Sequence, residues 1–384
     1  MNRLVDPTSS RHKRSFGDFI YRVRGGGARL APVSRRWGSP GASRWVRPEH
    51  LLALGAALAV LLTLAGAELL ARRLDTRYLD RTRGEDVYSE ERGWKLRPGF
   101  QGLVHDAWTT VNARGYRGRE YGPRKAPGRT RIVMLGDSIT FGHRVRDDQT
   151  FSAILDSRTG RFEVVNLGVE GYGTDQELIV LQGEGLGYRP DVVILNFCPN
   201  DVLNNALDKD HQDGRTPKPY FTLEAGELRL HADQLRMSPL RRAAQWLADE
   251  SHLYGRLGDL LPPLHVAVRG SDPPAGVPPR LGRPEAVELT VHLVQRIATQ
   301  ARRTGARFIL VLHPDEPCLL GTSRVLSRVS EAPMLAGTEV LDMAGRYRVR
   351  GLGVDDVLLD YQGHLTPLGH LVVAQEIEAV LASP

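Results

Sequence analysis

The sequence has few cysteines and none of the common metal-binding patterns. Among its 384 residues only two are cysteines, Cys198 and Cys318. This excludes a disulfide-rich scaffold and a four-cysteine zinc site. The 12 histidines are mostly scattered singly, and no His-Glu-x-x-His pattern occurs. We therefore expect nearly all of the histidines to be ordinary surface or core residues. A Cys198–Cys318 disulfide and two buried free thiols both stay open.

A net positive charge is lacking in most of the chain, although the whole sequence has a net charge of +6. Residues 1–49 contain 11 Lys and Arg against 3 Asp and Glu, which leaves 40 basic and 42 acidic residues for the rest. The basic segment is rich in Arg, Gly, Ser and Pro, a composition typical of disorder. We predict a disordered basic tail at 1–49 and no nucleic-acid partner for the remainder.

One long hydrophobic run follows the tail. Residues 51–67 carry no charge, and a helix extended through Ala71 would be about 31 Å long, enough to span a bilayer. The sequence therefore predicts a transmembrane anchor at 50–71. A cleaved signal peptide is the alternative, since 65–67 (Ala-Gly-Ala) resembles a cleavage site, but a leader of ~50 residues is long. The positive-inside rule predicts a cytoplasmic N-terminus and an extracytoplasmic remainder, periplasmic or at the cell surface.

Residues 72–130 read as short strands with glycine-marked turns, which predicts an accessory β-rich segment. Three arginines near its end, Arg114, Arg117 and Arg119, are expected to be solvated around a turn. Contact with an acidic substrate is the alternative interpretation.

From residue 131 onward, apolar runs alternate with helical patterns. Strands are predicted at 131–135, 162–166, 191–197, 307–312 and 339–341, and helices at 151–159, 175–185, 284–304 and 367–382. This alternation predicts an α/β fold, a three-layer α/β/α sandwich around a five-stranded, mostly parallel sheet.

An insertion at 202–283 interrupts the alternation within the 131–384 domain. Its clearest element is an amphipathic helix that begins at Ser238-Pro239 and runs to Leu247. We expect the insertion to form a lid or a wall of the binding pocket. The apolar residues of the helix are expected either to contact an acyl chain or to form a buried helix face.

Polar and glycine residues follow three of the predicted strands, and a fourth such segment precedes the final helix. Gly136-Asp-Ser138 stands at a strand-to-helix turn, and a glycine-rich turn containing Gly171 follows the second strand. Asn200-Asp201 follows the third strand, and Asp360 and His364 precede the final helix. Ser138, at the end of the first strand, should lie at the carboxyl edge of the sheet, where open α/β folds bind ligands.

These four segments resemble, in the same order, blocks I, II, III and V of the SGNH (GDSL) hydrolase family. The Gly-x-Ser-x-Gly elbow of the α/β-hydrolases is absent. The resemblance implies a flavodoxin-like SGNH fold with Ser138 as nucleophile, His364 as base and Asp360 as the residue that orients the base. It also implies that Gly171 and Asn200 supply oxyanion hydrogen bonds, and that no cofactor is needed.

The resemblance has departures. Cys198 stands where block III has glycine. Asp360 is four residues before His364 instead of three, so we expect a bulge at Gly363, with Asp355 and Asp356 as fallback carboxylates. Gly168 is the second choice for the oxyanion glycine, and His370 is expected to be structural.

The expected function is a serine ester hydrolase of the esterase, lipase or deacetylase type. Its expected partners are an ester substrate (a lipid, a small ester or an acylated glycan) and the membrane. An O-acyltransferase acting on a cell-surface polysaccharide, with the same residues, is the first alternative. A catalytically inactive binding module is the second.

Overall fold

The computed structural model describes residues 47–74, 85–158, 160–211, 214, 216–254, 257 and 280–382. Most of the predicted basic tail lies outside these residues. The chain divides into two compact units, Met1–Ala59 and Val60–Pro384. Everything that follows, apart from the first turns of helix α1, concerns the second unit.

Helix α1 covers Pro48–Leu74 and contains the predicted span at 50–71. Its apolar stretch is not buried against other parts of the protein. Within the described residues it is the one helix long and apolar enough to cross a membrane. By length and composition it fits either a membrane span or a signal sequence.

Two antiparallel hairpins precede the main sheet. The first joins β1 (Asp86–Ser89) to β2 (Gly93–Leu96), and the second joins β3 (Gln101–Val104) to β4 (Ala107–Thr110). Only His105 and Asp106 lie between β3 and β4, both with positive φ. Such a two-residue turn matches the right-handed twist of the two strands.

Seven further strands follow along the chain. They are β5 (Thr130–Leu135), β6 (Phe162–Asn166), β7 (Val192–Phe197), β8 (Tyr220–Glu224), β9 (Glu227–His231), β10 (Arg307–Leu312) and β11 (Glu339–Asp342). Five of them form one sheet in the order β11-β10-β7-β5-β6, and every neighbouring pair is parallel. This is the flavodoxin-like strand order.

The helices after α1 connect and cover these strands. They are α2 (Ser138–Phe141), α3 (Phe151–Arg158), α4 (Thr174–Gly183), α5 (Pro199–Asn205), α6 (Pro239–Glu250), α7 (Arg283–Arg303), α8 (Glu316–Leu319), α9 (Val325–Ser330), α10 (Met343–Val349), α11 (Val354–Val357) and α12 (Pro367–Ala382).

Hydrophobic cores lie on both faces of the sheet. Successive strand residues point to opposite faces, so Val133 and Leu135 belong to one core whereas Ile132 and Met134 belong to the other. The first core includes side chains from α4, α7 and the β1–β2 hairpin, and the second includes side chains from α3, α10 and α12. The predicted α/β/α sandwich is therefore confirmed.

The insertion has more regular structure than the sequence indicated. Strands β8 and β9 form a hairpin, and α6 begins at Pro239 with the Ser238 hydroxyl accepting a hydrogen bond from the Arg241 N–H (3.3 Å). The alternative of a buried helix face is wrong, because the largest apolar side chains of α6 are exposed.

Arg117 is not solvated, contrary to expectation. Its guanidinium is buried and donates to the carbonyls of Gly142 (2.6 Å) and Val145 (2.6 Å) and to the Asp147 carboxylate (2.8 Å). The sequence interpretation failed because these acceptors follow α2, far along the chain. Arg117 thus holds the C-terminal end of the short helix that begins at Ser138.

Both cysteines are free and buried. Burial raises the pKa of the Cys198 thiol well above its ordinary value, and the neighbouring Asp137 carboxylate raises it further. Thiols in this state are unreactive, which agrees with the free-thiol alternative.

Candidate active site

Ser138 is the first residue of α2, directly after β5. The preceding Asp137 caps the helix, since its Oδ1 accepts from the Ile139 N–H (3.0 Å). Gly136 allows this sharp turn, because a Cβ there would lie 2.0 Å from Thr140 Oγ1. The serine hydroxyl is therefore held at the carboxyl edge of the sheet, beside a helix N-terminus.

Ser138, His364 and Asp360 form a continuous line of hydrogen bonds. Ser138 Oγ is 2.9 Å from His364 Nε2, and His364 Nδ1 is 2.6 Å from Asp360 Oδ2. A carboxylate can only accept here, so Nδ1 carries the proton and Nε2 is left to accept the serine proton. This is the geometry that lets an imidazole act as a base towards a hydroxyl.

The turn from Asp360 to His364 absorbs the extra residue between them. Gly363 has a φ of +96°, and its N–H donates to the Asp360 carbonyl (3.2 Å). Burial alone would raise the Asp360 pKa, but hydrogen bonds from His364 and from the Gln362 N–H outweigh it and lower this pKa. Asp360 therefore faces His364 as a carboxylate.

The two fallback carboxylates have other positions. Asp356 Oδ2 accepts from the Gly353 N–H (2.8 Å) and so caps α11, and Asp355 is exposed. Of the three candidates, it is Asp360 that contacts His364.

Asn200 reaches the site from the strand next to that of Ser138. It lies in the first turn of α5, after β7, and its Nδ2 donates to Asp137 Oδ2 (2.8 Å). An amide nitrogen has two protons, so one further N–H remains for a ligand. Cys198 stands where the family has glycine, and its Sγ lies 3.6 Å from Asp137 Oδ1. The cysteine side chain is therefore accommodated beside the hydrogen bond between Asp137 and Asn200.

Gly171 and Gly168 differ in what they can offer. Gly171 has a φ of +76° in the turn after β6. The Gly168 N–H donates to Asn166 Oδ1 (2.9 Å), and a Cβ at Gly168 would lie 2.5 Å from the Phe141 nitrogen. Gly168 therefore has a packing role with its N–H engaged, which favours Gly171 as the candidate donor.

A layer of histidines that the sequence analysis missed lies against His364. The His143 ring stacks on the His364 ring with 3.9 Å between centroids, and the His105 ring is 4.2 Å from that of His143. Glu170 joins them, with one carboxylate oxygen 2.8 Å from His105 Nε2 and the other 2.7 Å from His143 Nδ1. The catalytic candidates thus continue into a second network, which we call the His105–His143–Glu170 cluster.

The cluster has a definite charge state. Burial would raise the Glu170 pKa, but hydrogen bonds and charges from His105 and His143 outweigh this and lower it to about 2. The hydrogen bond to Glu170 raises the His105 pKa, whereas burial lowers that of His143 despite the same carboxylate. Near neutral pH, His143 is therefore a neutral ring between the Glu170 carboxylate and His364.

Among the residues that the structure describes, two sets of side chains have ligand atoms close enough to hold a metal ion. They are His105, His143 and Glu170, and His143, Asp360 and His364, each set within 4.8 Å. In the first set both histidines hydrogen-bond to Glu170, and in the second His364 bonds to Asp360 while His143 is bonded to Glu170 and stacks on His364. The hydrogen bonds therefore account for both arrangements without an ion.

Two of these missed residues had a signal in the sequence. Glu170 directly precedes Gly171, and His143 follows the helix that begins at Ser138, so both are near strand ends already assigned to the site. His105 had none, because its hairpin lies before the first strand of the sheet. His370, by contrast, is buried away from this cluster and accepts from the Phe151 N–H (3.2 Å), as a structural residue would.

A parallel α/β/α sheet with a serine, a histidine and a carboxylate hydrogen-bonded in line at its carboxyl edge is typical of serine-type acyl hydrolases. The chain belongs to the GDSL-like Lipase/Acylhydrolase family, whose model matches residues 134–372. It is accordingly a hydrolase acting on ester bonds. The matched range contains Ser138, Gly171, Asn200, Asp360 and His364.

Solved structures with related folds include esterases. A catalytic mutant of Axe2, an acetylxylan esterase from Geobacillus stearothermophilus, is 11% identical, with 66% of this chain and 94% of that chain covered and a TM-score of 0.35. The psychrotrophic esterase EstA from Pseudoalteromonas sp. is 10% identical, with 66% and 96% covered and a TM-score of 0.38. No curated protein sequence matches the chain. At these scores, family membership depends on the sequence match alone.

Proposed function

We propose that the chain hydrolyses a carboxylic ester with Ser138 as nucleophile, His364 as general base and Asp360 as the carboxylate that holds the imidazole. The observation that carries this proposal is the hydrogen-bonded line from Ser138 Oγ to His364 Nε2 (2.9 Å) and from His364 Nδ1 to Asp360 Oδ2 (2.6 Å). An inactive binding module has no need to keep this alignment.

The reaction proceeds in two acyl transfers. His364 Nε2 takes the Ser138 proton as Oγ attacks the ester carbonyl, and the resulting imidazolium then protonates the leaving alkoxide as its bond to the acyl carbon breaks. Water next attacks the acyl-Ser138 ester, giving a proton to His364. That proton returns to Ser138 Oγ when the carboxylic acid leaves.

The oxyanion formed in each step is stabilised by the N–H groups of Ser138 and Gly171 and by the Asn200 side chain. Asp137 fixes the Asn200 amide through the 2.8 Å hydrogen bond, which supports its role as a prealigned donor. Removing one such donor typically costs about 3–4 kcal/mol of transition-state stabilisation. Hydrolysis of an ester by these groups requires no metal.

The domain acts, in this proposal, on the outer side of a membrane to which α1 anchors it. The uncharged run at 51–67 and the basic segment before it support this topology. The corresponding substrates are esters exposed in that compartment, such as lipids and acylated glycans.

The test is hydrolysis of p-nitrophenyl acetate by the full chain in detergent. We expect Ser138→Ala and His364→Ala each to lower kcat by at least about 10³-fold, because each removes a member of the acyl-transfer machinery. Ser157→Ala is the control, since its exposed hydroxyl bonds only within α3. Equal turnover by the parent and the Ser138 variant would overturn the proposal.

A fluorophosphonate label separates the alternatives. Labelling of Ser138 in one sample, together with an unlabelled sample that consumes p-nitrophenyl acetate only when a sugar acceptor is added and acetylates that acceptor, would indicate an O-acyltransferase. A folded chain that neither turns over ester nor reacts with the label would indicate a binding module.

A further inference from the structure

Helix α6 turns its apolar side away from the protein. Leu240, Trp246 and Leu247 are 82%, 64% and 44% exposed. At 100° per residue, the three side chains fall within an arc of about 120° on one side of the helix. A surface helix normally packs such an apolar stripe against its own core, and α6 does the opposite.

The polar side of α6 is what holds it to the domain. On this side the Asp249 carboxylate accepts from the Tyr88 N–H (3.5 Å). Glu250, the last residue of the helix, accepts from Arg97 Nη1 of the β1–β2 hairpin region (2.6 Å). Arg242 Nε donates to Glu90 (2.9 Å). Because these contacts fix the rotation of the helix about its axis, the outward direction of its apolar side is built into the fold.

The C-terminal end of α6 meets the end of the candidate membrane span. Glu68, the first charged residue after the uncharged run 51–67, accepts from Ser251 Oγ (2.8 Å) and from the N–H groups of His252 (3.1 Å) and Leu253 (3.0 Å). Ser251 is the C-cap of α6. The apolar side of α6 therefore begins beside the point where the anchor leaves the apolar phase.

Charge near α6 suits an anionic lipid surface. The acidic residues of the helix, Asp249 and Glu250, bond into the domain, whereas Arg241 is exposed at the surface. Arg242 and Arg72 are exposed as well, although they pair with Glu90 and Glu68. An outward face made of tryptophan and leucines with arginines beside it is the composition of a helix that lies in a membrane interface.

We propose that α6 lies along the bilayer surface with Leu240, Trp246 and Leu247 inserted at the boundary between headgroups and acyl chains. The inference rests on the proposed membrane anchor. It gives the domain a second attachment besides α1 and so fixes the orientation of the active site relative to the lipid, which a single helix leaves free to rotate.

The test measures contact between Trp246 and lipid acyl chains. The full chain is reconstituted into vesicles of phosphatidylcholine and phosphatidylglycerol, with and without bromine on the acyl chains, as wild type and as Trp246→Phe. Subtracting the fluorescence of the variant from that of the wild type gives the emission of Trp246, one of five tryptophans. We expect brominated lipid to quench about half or more of this difference. Trp108→Phe, which removes an exposed tryptophan of β4, is the matched control and should leave the Trp246 quenching unchanged.

Carbonate extraction and ester turnover are measured on the same vesicles. A Trp246 emission that bromine leaves unchanged, in a chain that resists extraction, would overturn the inference. So would a Trp246 emission that shifts with protein concentration instead, because a second copy would then cover the face. Loss of p-nitrophenyl acetate hydrolysis with quenching intact would count against the esterase proposal alone.

Discussion

The pair formed by Glu170 and His105 sets the charge around the candidate base. The Glu170 carboxylate is nearly buried and accepts hydrogen bonds from two imidazoles, so its ionised form depends on them. His143 remains neutral and stacks on His364. When His364 takes the serine proton, its new positive charge therefore faces the neutral His143 ring. His143 is in turn hydrogen-bonded through Nδ1 to the Glu170 carboxylate. We expect Glu170 to act as a positioning residue for His143.

This arrangement predicts how stability depends on pH. The Glu170 pKa falls from 4.5 to about 2 on folding, so its contribution is complete above pH 4.5 and is lost as the pH falls towards 2. The His105 pKa rises from 6.5, so its contribution is complete below pH 6.5 and is lost as the pH rises through the raised value. The two groups together therefore stabilise the fold most between pH 4.5 and pH 6.5.

We therefore expect Glu170→Gln to reduce the free energy of unfolding by about 1–3 kcal/mol at about pH 5.5, and by less at about pH 3 and about pH 8. Urea unfolding at the three pH values measures this. Glu227→Gln, at an exposed ion pair on β9, is the control and should have little effect at any pH. A loss that is the same at all three values would mean that the ion pair is not its source.

At the scale of the element, the turn from Asp360 to His364 determines whether the carboxylate meets the imidazole. Gly363 has a φ of +96°, which side-chain-bearing residues rarely adopt, and a Cβ there would lie 2.9 Å from the Pro314 carbonyl. The turn must therefore shift if this glycine is replaced, and Asp360 and His364 flank it.

We expect Gly363→Ala to lower kcat by about 10–100-fold, since a displacement of ~1 Å in a catalytic group has such an effect, and to destabilise the fold by about 1–3 kcal/mol. Gly351→Ala is the matched control, because Gly351 also has a positive φ (+69°) but has open space around its Cβ position. It should lose stability with kcat unchanged. If both variants keep the parent kcat, the Gly363 turn does not position the carboxylate.

The elements that the sequence predicted are those whose signals are local. Four of the sheet strands contain apolar runs and are buried on both faces, whereas β11 is a short, half-exposed strand at the sheet edge. The predicted bounds of all five agree with the structure to within one residue at either end. Ser138, Gly171 and Asn200 were found because they follow such strands, and Asp360 and His364 because they precede the final helix. The β8–β9 hairpin was missed because its strands are half exposed and lack an apolar run.

Features that depend on partners distant in the chain could not be predicted. The outward apolar side of α6 results from bonds to Tyr88 and Arg97, more than a hundred residues earlier. His105 reaches the site only because its hairpin packs beside Glu170. Both cases need the tertiary structure. The periodicity of a helix sequence predicts which of its sides is apolar, but not whether that side faces the protein or the solvent.

At the scale of the whole molecule, the proposed position of the domain relative to a membrane depends on α1. Arginines lie at both of its ends, with Arg72 and Arg73 in the last turn. The excess of 11 basic over 3 acidic residues in 1–49 is what favours a cytoplasmic N-terminus. The hydrogen bonds from Ser251, His252 and Leu253 to Glu68 join the C-terminal end of α1 to the insertion, and they are present with or without cleavage before Glu68.

We expect a chain with a tag at each terminus, expressed in a bacterium, to stay in the membrane fraction with both tags present. Protease added to spheroplasts should remove the C-terminal tag and leave the N-terminal tag, because the basic tail stays inside. Lysed cells are the control, in which both tags should be removed. Protection of the C-terminal tag would reverse the orientation and confine the substrate to the cytoplasm. A product that begins near residue 68 would establish cleavage after the Ala-Gly-Ala sequence, and a released domain would then have to bind the bilayer through α6 alone.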